Sequence, residues 1–265
     1  MPTNYLGVAF SPYVGAWSGT SPRASTPPWN SYSQEDIVRM LETIASSFDK
    51  ISTYGMGYAG YYPPGTPWNQ VDSNCRVAGA AALLNQRRGQ RVIEVSQGIY
   101  QQSTPELQQA EIAAACTAAQ EANAVFPHTV TSLVFTNEYV TDTATTNAVT
   151  AMLTAHKPAV NVLGLKVGVR SQTFGQLTNP ASPYLAPLQT LVRNCDFILC
   201  NLYPPNPPGT IQDSLFSVTR AFDGITAAVV AVNPQCDVMI GETGWPSAGI
   251  SFNNSINTVE NARSY

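Results

Sequence analysis

SLVFTNEYVTD, residues Ser132 to Asp142, is an apolar run that stops at an Asn-Glu pair and gives way to a helical pattern from about Ala144 to His156. A strand inside a parallel sheet reads this way, as a short and nearly continuous apolar run, because helical crossovers cover both of its faces. The alternation recurs along the chain. LGVAFSPY (Leu6 to Tyr13) precedes a Ser/Pro-rich loop and a helix from about Ser33 to Phe48, where S-Q-E-D resembles a capping box with Asp in place of the usual Glu and Ile37, Met40, Leu41 and Ile44 form the apolar stripe. KISTYGM leads to a helix around Val71 to Arg88, and RVIEVSQGIY to one around Thr104 to Ala124. LKVGVRSQTF leads to Pro183 to Arg193, DFILCNLYPP to Leu215 to Val232, and DVMIGETGWP to a helical start near Asn257.

Seven strand-then-helix units at intervals of roughly 30 to 40 residues point to parallel strands with helical crossovers. Two architectures compete, a doubly wound open sheet and a (β/α)8 TIM barrel of about 250 residues. No G-x-G-x-x-G or Walker loop follows the first strand, and polar and aromatic residues gather at the ends of many strands rather than at one switch point, so the barrel is favoured. An eighth strand is not visible: the sequence reaches Ser264-Tyr265 inside what should be helix seven, and the last strand-helix unit is expected to be truncated or absent. The whole chain, 1–265, reads as one catalytic domain.

Of the 265 residues, 44% are hydrophobic and only 11% are charged, with a net charge of −4. That leaves no basic footprint for nucleic acid or an anionic membrane, and no stretch reads as a membrane segment. Twelve tyrosines and four tryptophans suit a neutral hydroxylated partner. MPTNYLGVAF carries no basic and apolar leader, so a secretory signal is expected to be absent or already removed. Of the five cysteines, Cys195 and Cys200 sit too far apart on one strand to bridge, and Cys195 and Cys236 are the pair whose strands could place them side by side. Buried free thiols are the expectation. Asn253-Asn254-Ser255 is a lone glycosylation sequon of the kind chance supplies.

VMIGETGWPS (Val238 to Ser247) repeats the opening arrangement, an apolar run closed by a glutamate. In a parallel barrel all strand C-termini share one face, where such enzymes build their sites, so Glu138 and Glu242 are expected to face each other across the mouth. Two carboxylates on one rim are the minimum equipment for glycosidic cleavage: one protonates the leaving oxygen, the other attacks the anomeric carbon or activates water. A single strand-end glutamate can equally cap the next helix or sit solvated on a loop. Two matched cases, and the aromatics around them, weigh against that. Tyr13, Tyr54, Tyr100, Tyr139, Phe174, Tyr203 and Trp245 all fall at or just beyond a strand end, with Trp17, Trp29, Tyr58, Tyr61, Tyr62 and Trp68 in the loops after the first two strands. Sugar C–H faces stack on such rings, which points to an elongated cleft.

Rival sites are poor. His128 and His156 belong to no metal or triad cluster and read as structural, as do Glu94 inside the third strand and Asp196 and Asp237 at the opposite rim. No metal or organic cofactor is implied.

TNEYV and GETGWPS, with STYG, QGIY and NLYP after strands two, three and six, resemble glycoside hydrolase family 17, retaining β-1,3-glucan-active (β/α)8 enzymes. The resemblance runs from about Gly7 to Pro246, and ETGWPS is its most specific piece. It implies that Glu138 is the general acid/base and Glu242 the nucleophile, that Asn137 binds the 2-hydroxyl of the cleaved sugar, that Tyr203 hydrogen-bonds the nucleophile, and that Tyr54 and Trp245 line the donor side. Retention implies carboxyl groups roughly 5 to 5.5 Å apart. The chain lacks room for the subdomain inserted in plant members and is similar to compact fungal and bacterial members, several of them β-1,3-glucanosyltransferases of cell walls. Tyr139 and Phe174 are candidate platforms for an acceptor glucan.

The readings carried from the sequence are a retaining β-1,3-glucanosyltransferase, a mainly hydrolytic endo-β-1,3-glucanase using the same residues, and a non-catalytic glucan-binding barrel. The expected partners are β-1,3-glucan chains as donor and acceptor, the protein is expected to be a monomer, and its place is the cell wall or the exterior.

Overall fold

Seven strands alternate with seven α-helices among the residues that the computed structural model describes, which are 7–12, 32–56, 73–204, 210–245 and 258–265. The strands are β1 (Gly7–Ala9), β2 (Lys50–Ser52), β3 (Glu94–Ile99), β4 (Val130–Asn137), β5 (Lys166–Ser171), β6 (Phe197–Asn201) and β7 (Asp237–Glu242). The helices are α1 (Gln34–Ile44), α2 (Val77–Arg88), α3 (Pro105–Val125), α4 (Thr143–Val162), α5 (Leu185–Asn194), α6 (Ile211–Val232) and α7 (Val259–Ser264). Strand order follows chain order, β1 to β7. Every strand-helix unit expected from the sequence is present, and no eighth strand occurs among the described residues. The chain divides into two compact units, Met1–Asn137 with Ala155–Val167, and Glu138–Thr154 with Gly168–Tyr265.

In the first unit β1 to β4 are parallel neighbours, with Val8 opposite Ile51, Ile51 opposite Val95 and Gln97 opposite Leu133. Helix α1 starts where the capping box requires. The Ser33 hydroxyl accepts from the Asp36 amide while the Asp36 carboxylate accepts from the Ser33 N–H, so orphan donors at the helix start are satisfied. Ile37, Val38 and Leu41 are its buried stripe, and full burial of such side chains stabilises by about 1.5–3 kcal/mol each. Helix α2 buries Ala78, Ala80, Ala81 and Ala82, small residues that let α1 and α3 pack against it. It stops at Gly89, whose φ of 64° is the left-handed conformation that lacks a Cβ penalty. Asn85 then clamps the entry to β3: its Oδ1 accepts from the Val92 and Ile93 amides and its Nδ2 donates to the Ile93 carbonyl and the Thr129 hydroxyl. Glu94 is held by Lys50 and Arg91, each at 3.3 Å, and by the Thr131 hydroxyl, a structural role as the sequence implied. His156 stacks on Phe135.

In the second unit β5, β6 and β7 are parallel, with Val169 opposite Ile198 and Cys200 opposite Ile240. The register slips by one between Cys200 and Asn201, which brings Asn201 opposite Glu242. A Thr210–Asp213 capping box opens α6. By length and apolar composition alone α6 could cross a membrane, which qualifies the expectation that no stretch reads so; it packs on α5, β7 and the Thr173–Thr178 turn, and its Val218, Ile225 and Val229 are buried. All five cysteines are free, so Cys195 and Cys236 are not bridged.

Candidate active site

Both candidate carboxylates stand in the second unit, at the C-terminal ends of strands, and the unusual backbone lies beside one of them. Thr136 and Glu138 adopt φ of 63° and 54°, a region that non-glycine residues rarely occupy and that costs of order 1–3 kcal/mol where the surroundings enforce it. At Glu138 the enforcement is visible: its N–H donates to the Arg170 carbonyl at 3.1 Å. The chain turns out of β4 under this restraint, and the Glu138 side chain leaves the strand in a direction that ordinary extended backbone would not give it.

Asn201 receives that side chain. Its Nδ2 donates to Glu138 Oε1 at 3.0 Å, while its own backbone is the register partner of Glu242 on the next strand. One asparagine therefore stands between the two glutamates. Glu242 is held separately. The Tyr203 hydroxyl donates to its Oε2 at 2.8 Å, and Arg170 Nη1 lies 3.7 Å from its Oε1, an ion pair longer than a hydrogen bond. The Arg170 side chain is completely buried, and that of Glu242 is 14% exposed. A buried guanidinium is tolerated only against an opposite charge, and Glu242 supplies one.

Gly241 makes this crowding possible. A Cβ there would lie 2.8 Å from Asn201 Oδ1, 2.9 Å from Leu199 Cβ and 3.3 Å from Arg170 Cγ. Two buried acceptors, Glu242 Oε1 and Asn201 Oδ1, have no hydrogen-bond donor within the described protein. Such atoms in a native site call for a reason, and a hydroxylated ligand is a chemically suitable donor.

The remaining rim residues divide by unit. In the second, Tyr203 and Tyr139 are 53% and 39% exposed, so both offer a ring face. Trp245 packs on Tyr265 at 5.9 Å between ring centroids, and Tyr265 shares a 2.6 Å hydrogen bond with Thr243. Phe174 departs from expectation. It lies in a 3-10 turn, Thr173–Thr178, and is fully buried, so its ring is core and offers no face to a glucan. In the first unit Tyr100 is 41% exposed and Tyr54 half-buried. The Asn137 amide donates to Gln101 Oε1 at 3.4 Å. The loops carrying Tyr54 and Tyr100 are tied together by Glu111, a fully buried carboxylate that accepts from the Met56 and Tyr100 amides. Tyr13, Trp17, Trp29, Tyr58, Tyr61, Tyr62, Trp68 and the 253–255 sequon lie outside the described residues.

Arg170, Asn201, Tyr265 and Glu111 were not among the sequence candidates. Arg170 had a signal, a charge inside the otherwise apolar stretch VGVRS that follows Lys166. No group of three or more His, Cys, Asp or Glu side chains able to hold a metal occurs among the described residues.

Solved structures of similar fold exist. A glycoside hydrolase family 17 β-1,3-glucanosyltransferase from Rhizomucor miehei superposes over 98% of this chain and 78% of its own, with TM-score 0.61 and 18% identity. An active-site mutant of the Rhizomucor miehei β-1,3-glucanosyltransferase in complex with laminaritriose gives TM-score 0.63 at 18% identity, over 98% and 79% of the two chains. The fold is that of the family 17 (β/α)8 barrels. An endo-laminarinase from Formosa Hel1_33_131 agrees, with TM-score 0.68 and 15% identity over 94% of this chain and 69% of its own. No protein-family model and no curated protein matches the sequence. At these identities the likeness speaks for the fold, and the residues must speak for the chemistry.

Proposed function

We infer that the chain is a single-domain, retaining β-1,3-glucan-active enzyme of the family 17 kind, a β-1,3-glucanosyltransferase. The observation that carries the reading is the pair Glu138 and Glu242, both in one unit, with Asn201 bonded to the first and opposite the second in register. Fold neighbours described as acting on β-1,3-glucan, one of them holding laminaritriose, support the substrate class.

In the first step Glu242 attacks the anomeric carbon. The new C1–O bond to its carboxylate forms as the glycosidic C1–O bond breaks, and the departing oxygen takes the proton of Glu138. In the second step an acceptor hydroxyl gives its proton to the Glu138 carboxylate as its oxygen bonds C1 and Glu242 leaves. With water as acceptor the outcome is hydrolysis; with the hydroxyl of a second glucan it is transfer. Tyr203 holds the nucleophile, and Tyr139 and Trp245 of the same unit are assigned stacking faces. The proposed substrate is a wall polymer, and the location proposed with it is the cell wall or the exterior.

The test is incubation with a purified linear β-1,3-gluco-oligosaccharide, with product lengths followed by mass spectrometry. Products longer than the input are expected. Shorter products alone would assign an endo-β-1,3-glucanase, and unchanged substrate with measurable binding would assign a glucan-binding barrel.

A further inference from the structure

We propose that Arg170 and Asn201 are positioning residues that serve the two carboxylates separately, Arg170 setting the nucleophile Glu242 and Asn201 setting the acid/base Glu138. The proposal deepens the glucan reading above and rests on it.

The Asn201 amide donates to Glu138 through a single N–H···O bond to Oε1, and the other Glu138 oxygen is the one proposed to carry the proton. The neutral amide can donate to either ionisation state of that carboxyl group, since a protonated carboxyl keeps an accepting oxygen. That suits a group that must give up a proton in one step and take one in the next. Arg170 is a fixed positive charge and is suited to the opposite task. Its guanidinium faces Glu242 Oε1 at 3.7 Å from a fully buried position, so it can hold that carboxylate in one orientation and cannot itself lose its proton. The Arg170 backbone serves the other residue, because its carbonyl accepts the Glu138 N–H and holds the left-handed turn. Both side chains lie close over Gly241, where a Cβ would meet Asn201 Oδ1 at 2.8 Å and Arg170 Cγ at 3.3 Å.

The division predicts a leaving-group signature that loss of packing would not produce. An aryl β-1,3-glucoside with a dinitrophenolate leaving group needs no proton to depart, so its first step depends on the nucleophile and not on the acid. The burst of dinitrophenolate release measures that step, and an unactivated β-1,3-gluco-oligosaccharide measures the acid-dependent reaction. Asn201→Ala is expected to lower turnover of the oligosaccharide by about 10- to 100-fold while leaving the burst rate within about threefold of wild type. Arg170→Met is expected to slow both by a similar factor, with KM little changed, and Arg170→Lys to recover part of the loss on both. Circular dichroism establishes that each variant is folded. Should Arg170→Met not fold, Arg170→Lys stands in for it, with a lower kcat at unchanged KM expected on both substrates.

Equal losses for Asn201→Ala on the two substrates overturn the proposal, as do normal rates for the Arg170 variants. A wild-type protein inactive on both substrates overturns the glucan reading and the proposal together, whereas an active wild type with the wrong variant pattern overturns the proposal alone.

Discussion

The Tyr203 hydroxyl donates a 2.8 Å hydrogen bond to Glu242 Oε2 from a ring that is half exposed. A hydrogen bond to a charged group contributes about 1.5–3 kcal/mol, and solvent at this ring places it at the low end. Tyr203→Phe is therefore expected to lower kcat about tenfold, with KM nearly unchanged. Steady-state kinetics on a β-1,3-gluco-oligosaccharide measures it, and an unaltered kcat would remove Tyr203 from the machinery.

Glu138→Gln and Glu242→Gln are each expected to abolish turnover of unactivated glucan. Their stabilities should differ. Glu138→Gln keeps an acceptor for the Asn201 amide and should melt near wild type. Glu242→Gln leaves the buried Arg170 guanidinium facing a neutral amide, and removing one member of a buried pair is costly, by up to about 3 kcal/mol here. Thermal melts of the two variants side by side test the contrast; equal melting temperatures would count against the ion pair as drawn.

Gly241→Ala places a methyl group against Asn201 Oδ1 and Leu199 Cβ at under 3 Å. Overpacking of this kind costs about 1–3 kcal/mol. The atoms that must move belong to the partners of both carboxylates, so melting temperature and kcat are expected to fall together. A melt with normal kcat would show that the site tolerates displacement of Asn201 and Arg170.

Burial pushes the Cys200 thiol from its ordinary 9.0 up to about 12, with Cys236 adding to the effect. At pH 8 the folded protein should leave Cys200 unmodified by iodoacetamide, whereas all five cysteines react in denaturant, as peptide mass spectrometry would read. The sign for stability follows. The neutral thiol's contribution is complete below pH 9.0, where folded and unfolded chains both keep the proton, and is lost as pH climbs from 9.0 towards 12 because only the unfolded chain gives it up. Rapid labelling of native Cys200 at pH 8 would contradict its burial.

Much of this architecture was legible in the sequence because it is local. The apolar run VTSLVFTN needs only its own composition to declare a buried strand, and Ser33 and Asp36 need only a spacing of three to open α1. The two glutamates were legible for the same reason, as charges at the ends of apolar runs. Phe174 shows where local reading stops. An aromatic just past a strand end can point to the rim or into the core, and the 3-10 turn that follows β5 sent this one into the core.

The sequence by itself determined the strand-helix alternation, the barrel class and the strand-end positions of Glu138 and Glu242. Only the tertiary structure decided what each carboxylate touches. Asn201 meets Glu138 across 63 residues of chain, through a one-residue slip in the β6–β7 register and a left-handed turn at Glu138. Hydrophobic periodicity carries no information about such a slip. Arg170 likewise reads as a stray charge in an apolar strand until parallel pairing brings β5, β6 and β7 side by side and closes the guanidinium against Glu242. Periodicity is a property of neighbours in sequence, whereas hydrogen bonds and ion pairs depend on register, and register is fixed only when the sheet assembles.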